Sequence, residues 1–255
     1  MHAAVMTDRR TIPILGTPID VLDWEVAVAR ISEWARAHES RYVCICNVHS
    51  VVTSRYDPVF GQVVAGSDMA TPDGEPVAWM LRRFGVSGQT RINGPDLMWR
   101  YCAQAATRGE SIYLYGGMPE TLRMLEHRLA KTFPGLSIAG AWSPPFRALT
   151  EEEDEADVAR INASGAGVVW VSLGCPKQEK WMAAHRGRIN AVMIGVGAAF
   201  DYHAGTTRRA PSWMQRRGLE WLYRLLSDPR RLWKRYLITN TSFIVLALRQ
   251  LLLRR

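Results

Sequence analysis

Four short segments of this 255-residue chain combine glycine with polar side chains at a spacing that suits chemistry: residues 47–50 (NVHS), Asp73-Gly74, Tyr115-Gly116-Gly117 and residues 174–179 (GCPKQE). Each lies where a strand-like run gives way to a helical pattern. Glycine lets the backbone approach a ligand closely, and the free N–H groups of a helix N-terminus attract phosphate, so a nucleotide is the natural ligand. Gly116-Gly117 alone reads equally well as a tight turn. No GxGxxG or Walker sequence is present, which counts against a nicotinamide dehydrogenase or an ATPase. Asp73, at a strand end, can serve as a general base or cap a helix over VAWMLRRFG, and the sequence leaves both roles open. No DxD pattern is evident, and His203 has no partners at metal-ligand spacing, so no metal and no resident cofactor are expected.

The elements that must hold these segments alternate regularly. TIPILGTPIDV, with Gly16-Thr17-Pro18 at its centre, predicts a small hairpin. Asp23 can cap a helix whose Trp24, Ala27, Val28, Ile31, Trp34 and Ala35 recur at helical spacing. YVCIC (42–46), SIYLYGG (111–117), LSIAGAW (136–142), GVVWVSLG (167–174) and AVMIGVG (191–197) are short apolar runs of the buried-strand kind. Helices are expected between them: one from Pro58 with Asp57 as cap, one from Pro95 with Gly94 as cap, one after Gly117, and one through EEEDEADVARI. Strand, helix, strand in succession predicts an α/β fold, a Rossmann-like parallel sheet with helices on both faces. Ligands of such sheets gather where strands end and helices begin.

Charge divides the chain unevenly. Residues 206–255 hold 12 of the 32 Lys and Arg but only Glu220 and Asp228 of the 24 acids, so they carry +10 while residues 1–205 carry −2. The expected organisation is therefore a Rossmann-like body, 1–205, with a basic, amphipathic helical C-terminal appendage, 206–255. Its cations are interleaved with Trp213, Trp221, Tyr223, Trp233 and Tyr236, a composition that seeks a polyanionic surface. YLITNTSFIVLALRQLLLRR is apolar but interrupted by Thr239, Asn240, Thr241, Ser242, Arg249 and Gln250, which suits a helix lying in the headgroup layer of an anionic membrane better than one crossing it. A helix packed on the body is the alternative. No nucleic-acid-binding module is legible, so nucleic acid is not an expected partner. Apolar tail residues left bare would favour a homo-oligomer. The first ten residues lack an apolar export core and the four cysteines form no CxxC set, so a cytosolic protein with reduced, buried thiols is expected.

TPDGEP (71–76), RINGPDLM (91–98), GCPKQEKW (174–181), GVGAAFDYHAG (195–205), RAP (209–211) and GLEWLYRLLSDPRR (218–231) together resemble the WecG/TagA/CpsF family of bacterial glycosyltransferases, in order, from about residue 13 to residue 234. The resemblance implies a Rossmann-like, inverting, metal-independent enzyme. It would move a sugar from a UDP-sugar to a polyprenyl-diphosphate-linked saccharide at the cytosolic face of the membrane, in exopolysaccharide or other cell-surface polymer synthesis.

The same resemblance assigns roles. Asp73 matches the family's catalytic aspartate, with Gly74 beside it; Arg91 matches a substrate-site arginine, though it reads also as an ion-pair partner. Arg224, Arg231 and Lys234 match basic positions that close over the site, the last departing from the family's arginine and neighboured by Arg235; Arg231, Lys234 and Arg235 are expected on one helix face. Gln178 and Glu179 belong to an element associated with the nucleotide, together with Gly174. Asn47 matches a site asparagine, but Ile45 and His49 depart from the Thr and Glu common in relatives, which leaves the transferred sugar open. Gly116, Gly117, Gly197 and Asp201 fall near the expected donor pocket, with Asp201 read as a loop residue. Phe146 and Arg147 stand where a family loop approaches uridine, available to stack and to meet phosphate.

Overall fold

The computed structural model describes residues 9–253; residues 1–8 of the leader reading, and Arg254 and Arg255 of the basic tail, lie outside the described residues. Strands β1 (Thr11–Ile14) and β2 (Thr17–Asp20) form an antiparallel hairpin. Its turn is Leu15-Gly16, both at positive φ (51° and 93°), one step earlier than the expected centre at Gly16-Thr17-Pro18. Two consecutive left-handed residues match the twist of the strands they join, which a turn built on Pro18 could not do. Helix α1 (Trp24–Arg36) follows, capped by Asp23, whose Oδ1 accepts from Val26 N–H at 2.8 Å.

Six strands make the central sheet: β3 (Arg41–Cys46), β4 (Met69–Pro72), β5 (Ser111–Gly116), β6 (Ser137–Trp142), β7 (Val168–Ser172) and β8 (Val192–Gly195). Their order is β4-β3-β8-β7-β5-β6, and every adjacent pair is parallel. Side chains alternate along each strand, so each strand feeds two cores. Tyr42, Cys44, Cys46, Tyr113, Tyr115, Val169, Val171 and Met193 enter one; Val43, Ile45, Ile112, Leu114, Val168, Trp170, Val192 and Ile194 enter the other.

Helices α2 (Val48–Tyr56), α3 (Pro58–Ala65), α4 (Glu75–Arg83), α7 (Glu151–Ala163) and α8 (Lys177–His185) cover the first face. Helices α1, α5 (Gly94–Arg108), α6 (Pro119–Thr132) and α9 (Ala199–Ala204) cover the second. Asn93, not Gly94, caps α5: its Oδ1 accepts from Asp96 N–H at 3.0 Å. Gly94 is glycine because a Cβ there would come within 3.3 Å of Val196. Asp201 sits in the first turn of α9, not in a loop. The cysteines are free; Cys44, Cys46 and Cys102 are buried, while Cys175 keeps some exposure at the β7–α8 turn.

The basic stretch folds as α10 (Ser212–Arg216), α11 (Glu220–Ser227) and α12 (Pro229–Leu253). One side of α12 buries Leu232, Thr239, Phe243 and Ala247 and packs on α2. Burial of Phe243 alone stabilises this docking by about 2 kcal/mol. Further along, Gln250 bridges to the hairpin, donating to Pro13 O at 2.7 Å and accepting from Leu15 N–H at 3.0 Å. The opposite side leaves Leu237, Ile238, Ile244, Val245, Leu248 and Leu252 more than half exposed.

Gln250→Ala removes both hydrogen bonds and is expected to weaken this docking by about 1–2 kcal/mol. Amide exchange should accelerate through residues 240–253 and leave the sheet unchanged; equal protection in both proteins would show that Phe243 and Ala247 suffice.

Candidate active site at the carboxyl edge of the sheet

Because all six strands run the same way, their carboxyl ends share one edge, and the residues that follow them gather along it, where the ligands of such sheets bind. Asn47, Asp73, Gly117, Ser143, Gly174 and Gly197 arrive there from six different strands. Ser172, which the motifs had not singled out, ties the loops together. Its carbonyl accepts from Gly117 N–H at 3.0 Å and its hydroxyl donates to Gly197 O at 2.9 Å, while Ser143 Oγ donates to Gly117 O at 2.7 Å. Gly116, at φ 101°, must be glycine because any Cβ would collide with the Ser172 carbonyl. The glycine pair is thus fixed by chain crossing as well as by its turn.

Asp73 is not a helix cap. Helix α4 starts at Glu75 with Gly74 as its N-cap, at φ 82°, and no side chain caps it. The Asp73 backbone N–H instead donates to Cys46 O at 3.0 Å, extending the β3–β4 pairing by one residue and bringing the carboxylate to the Asn47 amide. Ile92 N–H donates to Pro72 O at 2.8 Å, and Thr71 Oγ1 donates to Ile92 O at 3.1 Å, so the segment before α5 runs beside the end of β4 and brings Arg91 to Asp73. From the appendage come Glu220 and Arg224. Arg91 Nη1 pairs with Glu220 Oε2 at 3.2 Å, each side chain less than one-fifth exposed. Arg209 joins them, 3.4 Å from Glu220 and 2.5 Å from Asp96.

This environment decides the basicity of Asp73. Burial, the largest cause, and then the like charge of Glu220 push its pKa up from 3.8 to about 6, against the opposing pull of Arg91, the Asn47 amide and Arg224. Asn47 works in two directions, since its Oδ1 also caps α2 by accepting from Ser50 N–H at 3.2 Å. Arg224 is held above its ordinary value: burial lowers it, but Tyr202, Tyr236, Glu220 and Asp73 outweigh that.

Gln178 opens α8 with its N–H on Gly174 O at 2.9 Å, and its side chain fills the space beside β8, where a Cβ on Gly195 would lie 2.9 Å from its Nε2. That Nε2 donates to Glu179 Oε1 at 3.0 Å, while Gln178 Oε1, buried near Gly197, has no hydrogen-bond partner among the described residues. Glu179 points inward among Cys175, Cys44 and Cys46; its pKa is raised by burial.

Other candidates lie apart from Asp73 or are engaged elsewhere. Arg147 makes a two-pronged pair with Glu153 at 2.6 Å, and Phe146 is 76% exposed. Asp201 Oδ1 accepts from Thr121 at 3.4 Å and Thr206 at 3.3 Å, fixing the exit from α9. Arg231 pairs with Asp228 at 2.5 Å on the surface, and Lys234 is exposed. Arg235 parts from them and turns inward, with its Nε buried and without a partner among the described residues, close enough to act on both His49 and Cys175. The expected shared face of Arg231, Lys234 and Arg235 is therefore split, because the helix side carrying Leu232 and Thr239 faces the body and draws Arg235 with it. Burial first, then the charge of Arg235, lowers His49 to about 4, so this imidazole is neutral near pH 7. His203 stacks on Trp99 at 4.5 Å and bonds Pro95 O at 2.8 Å, a packing role. The sequence motifs assign no role to Glu220, Arg209 or Ser172 and name Arg235 only beside Lys234; the scarcity of acids in the tail is a signal that points to Glu220.

The family model for the Glycosyl transferase WecG/TagA/CpsF family matches residues 12–255.

Asp73 also bears on stability. Its folded pKa lies above the unfolded value, so its favourable contribution is complete below about pH 4 and is lost as pH rises through about 6. At pH 8 the ionised carboxylate costs the fold up to about 3 kcal/mol. Asp73→Asn should accordingly melt higher than the wild type at pH 8 and equally at pH 4; an unchanged melting point at pH 8 would remove the assigned burial cost.

Proposed function

This chain belongs to the WecG/TagA/CpsF family of glycosyltransferases, and on that premise we propose that Asp73 is the general base of an inverting transfer from a UDP-sugar to a polyprenyl-diphosphate-linked saccharide. A glycosyltransferase of this family serves cell-surface polysaccharide synthesis, with a sugar nucleotide as donor and a saccharide as acceptor. The observation that carries the finer reading is the position of Asp73: on the cleft edge, near Arg91, Arg224 and Asn47, with its basicity raised to about 6. A base of that strength is mostly ionised at neutral pH yet binds a proton well enough to draw it from a hydroxyl.

In this reading the acceptor hydroxyl oxygen bonds to the anomeric carbon as Asp73 takes its proton, and the bond from that carbon to the phosphate oxygen breaks with its electron pair leaving on UDP. Departure from the opposite face inverts the carbon. Negative charge grows on the β-phosphate, and Arg91 and Arg224 are the cations whose charge acts on Asp73, with Arg235, Arg231 and Lys234 on the following helix. These side chains take the part that a divalent metal plays in other transferases. Gln178, by its unpartnered Oε1, suits a donor on the nucleoside.

The appendage supplies the second half of the proposal. Helix α12 is long and apolar enough to cross a membrane by length and composition, with 17% of its most apolar window buried. One side, however, is committed to α2 and the hairpin. A helix so held supports peripheral binding on the cytosolic face, with Leu237, Ile244 and Leu248 entering the headgroup layer and Arg230, Arg231 and Lys234 meeting anionic lipid.

Asp73→Asn should lower transfer by about 10³-fold or more while UDP affinity, read by calorimetry, stays within a few-fold. Wild-type turnover, with a UDP-sugar panel and a short-chain lipid-linked acceptor in EDTA, should persist and should fall as pH drops through about 6. An active Asp73→Asn protein would end the assignment, and loss of turnover in EDTA would end metal independence. With vesicles containing anionic phospholipid, the wild type should float and the triple variant Leu237→Ser, Ile244→Ser, Leu248→Ser should remain in the load; equal flotation would remove the membrane reading.

A further inference from the structure

The appendage carries two acidic residues in fifty, and one of them, Glu220, is placed inside the site instead of on the surface. It lies in the first turn of α11, where a carboxylate complements the helix dipole, but its two oxygens reach outward from that helix in different directions. Oε2 takes Arg91 from the segment beside β4; Oε1 takes Arg209 from the stretch between α9 and α10. Arg209 in turn holds Asp96 and Asn93 at the start of α5. A chain of charges therefore runs from the base's neighbour, through the appendage, to the N-terminus of α5, and all the arginines in it are less than one-fifth exposed. Gly218, just ahead of α11, packs so closely on Glu75 of α4 that a Cβ would lie 2.8 Å from the Glu75 Cβ, which fixes the point from which α11 departs.

We propose that Glu220 is a positioning residue for the transfer reaction: by pinning Arg91 and Arg209 it docks α11 on the cleft and holds a second negative charge beside Asp73, so that docking of the appendage and readiness of the base are one event. This rests on the reading of Asp73 as the base. The physical logic is that a second carboxylate in the same region disfavours the ionised form of the first. Glu220 is held in place there by two guanidinium partners. The charged and titratable groups facing this pair are Arg91 beside β4, Arg224 of α11, Arg209 before α10, Tyr202 of α9, Tyr236 of α12 and Asp96 of α5, with the Asn47 amide from the β3–α2 junction. When α11 leaves, Glu220 and Arg224 leave together and Asp73 is opened to water, which returns it toward an ordinary, weaker carboxylate base.

The experiment is a pH titration of the full-length protein labelled with 13C at aspartate Cγ, the Asp73 resonance being assigned by its loss in Asp73→Asn. Glu220→Gln should lower the Asp73 midpoint by about half a pH unit or more, whereas Arg209→Gln, which leaves Glu220 less neutralised, should raise it. A purely structural role would move both variants in one direction, since each would merely loosen α11. Glu220→Asp, which keeps the charge at shorter reach, should recover part of the wild-type midpoint, and it serves also if Glu220→Gln does not fold. Identical midpoints in wild type, Glu220→Gln and Arg209→Gln, or shifts of the same sign in the last two, would overturn the proposal. The parent reading fails separately, by transfer activity in Asp73→Asn.

Discussion

Six parallel strands that end at one edge leave their last peptide groups without a ladder, and the way this protein satisfies them creates its cleft. Ser172 joins the ends of β5 and β8 to β7, Ser143 ties the end of β6 to Gly117, and Asp73 N–H adds a final rung between β4 and β3. Each of these bonds fixes a loop and aims the residue beside it. The position of the carboxylate therefore follows from backbone bookkeeping at the sheet edge, and its chemistry follows from what is then packed against it.

What is packed against it comes mostly from elsewhere in the chain. Arg91 reaches Asp73 because residues 91–92 run along β4; Glu220 and Arg224 do so because α12 is anchored to α2 and the hairpin, which brings α11 across the opening. Hydrophobic docking of Phe243 and Ala247 and ionic docking of Glu220 act at opposite ends of the appendage. The first is insensitive to salt and the second is not, although partial burial of the Arg91–Glu220 pair limits screening. Holding an ionised aspartate in such surroundings opposes folding, and the tension between stability and a usable base is a common one at functional sites.

Much of the fold was legible in the sequence because buried parallel strands and amphipathic helices write strong periodic patterns. The runs at 42–46, 111–117, 136–142, 167–174 and 191–197 all became strands, and Asp23 and Asp57 capped the helices expected of them. Gly94 was misread as a cap because glycine serves both as a cap and as a residue of close approach, and only its contact with Val196 separates the two. Asp201 was misread as a loop residue because α9 is only six residues long, too short for periodicity to register.

The sequence by itself determined the layered α/β architecture, the family, and the charge asymmetry of the last fifty residues, since these depend on local pattern and composition. Tertiary structure alone decided that Asp73 faces Glu220 instead of capping α4, that Arg235 and not Arg231 or Lys234 turns toward the body, and that Arg147 spends its charge on Glu153. The reason is physical: a side chain's partners lie within a few ångströms in space but up to 237 residues away along the chain, as Pro13 does from Gln250, and no local pattern records such distances.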